Sequence, residues 1–447
     1  MADAVLSRLP AAWAVRLTPE NVTRAIAALG GLVVLWNAIA YPSIDGYDAA
    51  SHREYADYLV QHHRLPLRPN TPEYYSPPLY YLVAGLADAV GRGIGLGDPW
   101  RLAQLLNVPV VVGTVLLVAA IARLLWPERR WLPPVAAGFV VLSPVLTRTA
   151  SMFHPEPTDL FVSALCGYLA VRMLVRRRYG LRAALGLGLA LGAGEMVRQF
   201  ALYTLSVVVA GWLLAVWQRP EERRALLRGL AVALAACVVV AAPWYGYRAV
   251  HYGNPLFDRP SPSAKPFFER RPASFYLDPG LHDLATQPYR PHLADLAWPQ
   301  TYADLWGDWY GVFAWSIQDG KPSAAINRWL VVQNVVGIVP TVLALAGWLW
   351  LLGVAVRRRA GPLLVVSLLP LAGLAGYFYF AIGYPTPDGD VLKPTFMLST
   401  LWAWALCFAW LAGRLARRAP RLVGWTLGLL ALADLPFVVY KGGVGLL

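Results

Sequence analysis

The sequence predicts an all-α polytopic membrane protein, and three observations carry that expectation. Of its 447 residues, 57% are apolar and 15% charged, against about 25% charged residues in a soluble domain. The apolar residues gather in repeated blocks about 18–25 residues long, enough for a helix to cross a bilayer core. The arginines behind the net charge of +13 fall in the short connectors between blocks. A chain of this length has room for two or three soluble domains, but the block pattern excludes them, and residues 1–447 read as a single integral membrane domain.

About eleven spans are expected, near 24–41, 102–125, 132–148, 157–175, 182–197, 199–217, 229–247, 328–355, 361–382, 395–413 and 422–440. The basic connectors are "PERR" at 127–130, "RRRYGLR" at 176–182, "RPEERRALLR" at 219–228, "RRR" at 357–359 and "RLARRAPR" at 414–421. With Arg8, Arg16 and Arg24 at the N-terminus, they alternate consistently with the other loops, so the positive-inside rule assigns them to the cytoplasm. The charge is then a topology signal, and nucleic acid is not an expected partner. Residues 42–101 become the first extracytoplasmic loop and 248–327 a second, long one. The first span reads as a retained signal anchor. The Ala/Arg/Leu-rich composition suggests a bacterial plasma membrane with the polar chemistry facing outside. Cys166, Cys237 and Cys407 fall inside spans with no metal-ligand spacing and are expected to pack.

The first outer loop holds "YDAASHREYADYLVQHH", which reads as a surface helix. Asp45 is expected to cap it, with Tyr47, Tyr55, Tyr58 and Leu59 on one side. Asp48 and His52 are four apart and share a face. The apolar run from Pro77 is too short to span. In "RTASMFHPEPTDLF", Glu156 stands between prolines beside His154, at the outer end of a span; an acid there is a site candidate or a helix cap. The glycines of "GLGLALGAGEMVRQF" suit close helix packing, since no strand precedes them as a nucleotide loop requires. Glu195 and Arg198, three apart, either pair with each other or free Arg198 to meet a phosphate. Tryptophan and tyrosine in "DLWGDWYGVFAWSIQDG" suit an interfacial anchor or stacking on a sugar or lipid. Lys393 stands at the outer mouth of the tenth span, where it can reach lipid head groups or a bound phosphate.

"DAASHREYADYLVQHHRLP" followed by "EYYSPPLYYLVAG" resembles the first outer loop of GT-C glycosyltransferases, the polytopic enzymes that use polyprenyl-phosphate sugars and include protein O-mannosyltransferases and aminoarabinose transferases. The resemblance places Asp48 on the family's catalytic aspartate, while Ala49 replaces its second acid and Asp45 is the nearest substitute. Glu156 takes the place of the second-loop acid, and Arg198 lies near a common basic position. "WGDWYGVFAW" resembles a tryptophan-rich motif of the long loop. "LKPTFML" resembles a Lys-x-Arg-Tyr motif, with Thr395 and Phe396 in place of its Arg and Tyr. It implies a GT-C-like fold and a polyprenyl-phosphate-linked sugar donor, with a lipid, glycan or protein acceptor.

The chemistry agrees. Outside the cytoplasm a lipid-linked donor replaces nucleotide sugars. Transfer needs a carboxylate to take the acceptor proton and cations to hold the departing phosphate. Asp48 is the expected base, with Asp45 or His52 orienting it. Glu156, beside His154, is expected to bind the acceptor or a divalent metal ion, the one cofactor the residues suggest. Arg198 and Lys393, helped by Arg53, are expected to neutralise the phosphate, and a single in-line attack inverts the anomeric centre. His52, His62 and His63 form no evident convergent metal cluster. The competing reading is a transporter or flippase for lipid-linked sugars, but such proteins place polar residues near the midplane, often in repeated halves. Here the acids gather at one face.

Overall fold

The computed structural model describes residues 18–256, 261–315, 320–386 and 389–440; Arg8 and Arg16 lie outside them. Among the described residues the regular structure is helical, without strands. α1 (Pro19–Ala40) starts where Thr18 accepts a hydrogen bond from the Asn21 amide and Pro19 occupies the first turn, a position where its missing N–H costs nothing. It is followed by α2 (Ala49–His62) and α3 (Leu79–Gly93). A short helix at Arg101–Leu105 then leads into α4 (Asn107–Leu125).

α5 (Leu132–Val141) and α6 (Pro144–Ser151) form one bent pair, meeting at 55°. Pro144 has no N–H to offer the Val140 carbonyl, so the expected straight span over 132–148 breaks there. α7 (Glu156–Arg176), α8 (Leu181–Val197), α9 (Ala201–Gln218) and α10 (Arg223–Tyr252) follow. The second long loop contains α11 (Ala297–Trp306). α12 (Ala324–Arg357), α13 (Gly361–Gly383), a 3-10 segment at Pro394–Thr400, α14 (Leu401–Leu415) and α15 (Pro420–Val438) complete the chain.

Among the described residues eight helices are long and apolar enough to cross a membrane, nine if the bent pair is one span, where eleven were expected. α8 ends after 17 residues because Arg198 turns to extended backbone, short of the roughly 20 a span requires. α15 has side chains at 435–438 outside the described set and is not among the eight.

The glycines of α8 act as expected. Gly188 and Gly192 bring its backbone against the carbonyls of Ala233 and Cys237 on α10, where a methyl group would clash. Gly347 does the same between α12 and the Cys407 carbonyl of α14. The three cysteines are buried and free, as their placement in apolar segments implied.

Above the bundle α2 buries Ala49, His52, Tyr55, Ala56 and Leu59 at helical spacing. Tyr55 stacks on Tyr81 of α3 with ring centres 3.9 Å apart. A separate aromatic cluster gathers Tyr41, Tyr47, Trp309, Tyr310 and Phe313. Asp48, at the start of α2, stands between these two packed groups.

Candidate active site

Four chain segments end at one place. The first residues of α2 supply Asp48 and His52, and the start of α7 supplies His154 and Glu156. The end of α8 brings Arg198, and the residue before the 3-10 segment is Lys393. Helix N-termini favour acids, which suits Glu156 in the first turn of α7.

Asp48 occupies the N-cap position of α2 at φ 48°, a left-handed conformation that Asp and Asn tolerate better than most residues. Its side chain does not cap the helix. Asp45, expected in that role, lies exposed in a turn and joins none of the contacts below. The Asp48 carboxylate instead accepts from Lys393 Nζ at 2.8 Å, and the same ammonium lies 3.3 Å from Asp390. Burial would raise the Asp48 pKa, but the charge and hydrogen bond of Lys393 outweigh it and hold the carboxyl well below its usual value. The Asp48 side chain remains 37% exposed while Lys393 is buried, so the acid is the solvent-accessible member of the pair.

His52 is buried, which lowers its pKa to about 4; its neutral ring meets the Tyr81 hydroxyl at 2.8 Å. It lies 3.7 Å from Glu73 and edge-on to His154 at 4.8 Å between ring centres. His154 contacts one oxygen of Glu156, and Arg198 contacts the other. Arg198 also donates to the Ser76 hydroxyl at 3.0 Å and lies 3.7 Å from Glu73. Its ion partners are therefore Glu156 and Glu73, and the pairing with Glu195 fails: Glu195 accepts from Tyr245 at 2.6 Å instead. The donor atoms of His52, His154 and Glu156 lie within 4.8 Å of one another.

Arg53 points away, donating to Ser43 at 3.0 Å and lying over Trp100. His62 packs on Tyr58, and both it and His63 are exposed, apart from the cluster.

Glu73, Arg148, Asp304 and Asp308 were not singled out in the sequence. Glu73 ties His52 to Arg198 from the loop between α2 and α3. Behind the site, the Tyr47 hydroxyl donates to both Asp304 oxygens at 2.8 and 3.0 Å, while its ring lies edge-on to His154. Arg148 of α6 is fully buried, 3.6 Å from Asp304 and 3.7 Å from Asp308. Burial raises Asp304 to about 6, although Arg148 pulls the other way. An arginine at the end of a span away from the basic connectors is a signal that could have exposed Arg148, because the positive-inside bias does not explain it. Asp304 lay in a stretch already noted for its aromatics.

Beside Lys393 an apolar cavity of about 480 Å³ starts at Pro394 and runs past Met397, Leu401 and Trp404 to Leu345 and Leu374. Trp298 and Leu345 on its wall are themselves exposed at 55% and 41%, so the cavity reaches the protein surface.

The fold is similar to that of solved oligosaccharyltransferase and ArnT structures. An oligosaccharyltransferase of Archaeoglobus fulgidus, solved with zinc and sulfate, is similar at TM-score 0.56 and 13% identity, covering 93% of this chain and 53% of its own. ArnT of Cupriavidus metallidurans, bound to undecaprenyl phosphate, is similar at TM-score 0.51 and 16% identity, covering 96% and 65%. AglB of Archaeoglobus fulgidus, with an inhibitory peptide and a dolichol-phosphate, is similar at 0.55 and 12%, covering 94% and 56%. The chain thus spans between about half and two thirds of these structures. No protein-family model matches the sequence, and no curated protein matches it.

Proposed function

We propose that the chain is a glycosyltransferase that moves a sugar from a polyprenyl-phosphate donor to a hydroxyl acceptor at the extracytoplasmic face. The observation carrying this reading is the Asp48–Lys393 pair at 2.8 Å, with an apolar cavity lined by the next residue, Pro394. The pair would supply a base and a cation for the phosphate of a lipid-linked sugar. The likeness to ArnT bound to undecaprenyl phosphate supports the same donor class.

The prenyl chain occupies the cavity and its phosphate meets Lys393. Asp48 takes the acceptor hydroxyl proton as that oxygen attacks the anomeric carbon. The bond from that carbon to the phosphate oxygen breaks with its electrons leaving on the polyprenyl phosphate, and the configuration inverts. Lys393, fixed and desolvated, stabilises the departing charge. Arg198, held by Glu156 and Glu73, positions Glu156 and does not reach for phosphate itself. His52, His154 and Glu156 bind the acceptor or a divalent cation; two imidazoles and a carboxylate suit zinc, which would supply Lewis-acid polarisation.

The test offers radiolabelled undecaprenyl-phosphate mannose, glucose and aminoarabinose to membranes containing the protein. Release of undecaprenyl phosphate with label transferred to an acceptor, lost in Asp48→Asn, is the expected result. Translocation of intact donor across vesicles without cleavage overturns it in favour of a flippase.

A further inference from the structure

A second built pocket lies at the opposite end of the bundle. α1 runs from Thr18 at this pocket to Tyr41 beside the candidate site, and its 22 residues at 1.5 Å each separate the two by about 33 Å. The pocket, about 230 Å³, is lined by Arg123, Arg129 and Arg130, with Glu20 as the one acid and Trp126 and Pro133 as apolar wall.

Arg123 and Arg130 are exposed, as arginines that only mark membrane topology should be. Arg129 is different. Its guanidinium lies over Trp410 at 4.3 Å, and its Nη1 atom is shut off from solvent with no hydrogen-bond partner among the described residues. Arg414 lies over the same ring at 4.6 Å, and Trp126 stacks on it at 5.1 Å. Burial, then the neighbouring charges of Arg417 and Arg414, lower the Arg129 pKa. A half-buried cation with an idle donor, crowded by like charges, is unfavourable unless an anion completes it.

We propose that this pocket binds the phosphate head group of an anionic phospholipid from the adjoining leaflet. A lipid is favoured over free phosphate by position and lining. The pocket sits where α1 begins, α4 ends and α5 begins, at the ends of apolar helices, and its wall is tryptophan and proline. Basic pockets between membrane helices take anionic head groups in this way, and guanidinium groups pair with phosphate through two donors.

Native mass spectrometry of the detergent-purified full chain tests this with phosphatidylglycerol, phosphatidylcholine and inorganic phosphate as probes. Phosphatidylglycerol should remain bound in preference to phosphatidylcholine, and Arg129→Gln should weaken it about tenfold. Arg130→Gln, an exposed lining residue that does not support the fold, should weaken it less. Arg228→Gln, exposed and outside the pocket, should change nothing. Equal retention of both lipids, unaltered retention in both pocket variants, or full competition by millimolar inorganic phosphate would overturn the proposal.

Discussion

At the residue scale the proposed site centres on Asp48 and on what surrounds its carboxylate. The left-handed backbone at φ 48° determines which substitution is informative. Asn tolerates that conformation, whereas Ala adds backbone strain and would confuse lost chemistry with lost structure. Asp48→Asn is expected to lower the transfer rate by about 10²–10⁴-fold, the usual worth of a positioned general base, with an unchanged circular dichroism spectrum; undiminished transfer would remove Asp48 from that role. Lys393→Met should lower kcat and also raise KM for the donor, read from initial rates across donor concentrations. Asp48 was legible in the sequence because a local motif surrounds it. Glu73 was not: it is one acid in a proline- and tyrosine-rich loop, and only folding brings it to His52 and Arg198.

At the element scale, the buried trio of Arg148, Asp304 and Asp308 fastens α6 to α11. Removing the cation strands two buried carboxylates, so Arg148→Met should destabilise the protein by about 3–5 kcal/mol, seen as a lowered unfolding midpoint in detergent. Asp304 responds to pH. Its carboxyl is raised from 3.8 to about 6, so the folded state keeps a proton that the unfolded chain has lost. The stability from this proton is complete below about 3.8 and disappears as pH rises through about 6. Thermal unfolding from pH 4 to 7 should show that decline, and Asp304→Asn should flatten it; an identical slope in both would refute the assignment. Most spans were readable because apolar length is a local property. The failures were local too: Pro144 divides one span, and the extended backbone at Arg198 shortens another. The Tyr47–Asp304–Arg148 connection was illegible, because residues 257 positions apart share no sequence pattern.

At the scale of the whole molecule, two polar sites lie at opposite ends of an apolar bundle, and the arginine distribution orients them. The three native cysteines are buried, so single introduced thiols can report topology. A membrane-impermeant maleimide should label His282→Cys in intact cells and Glu221→Cys only after permeabilisation; the reverse pattern would invert the orientation. The pairing of Asp48 with Lys393 also has a consequence for biosynthesis. The two are 345 positions apart, so at about 5–20 residues per second the ribosome needs roughly 20–70 s after making the aspartate before its lysine exists. Throughout that interval the nascent chain already carries its acid but lacks the ammonium that holds it. Assembly of the pair is therefore a late event in membrane insertion, and a ribosome that stalls before Lys393 leaves a product in which Asp48 has no ammonium beside it.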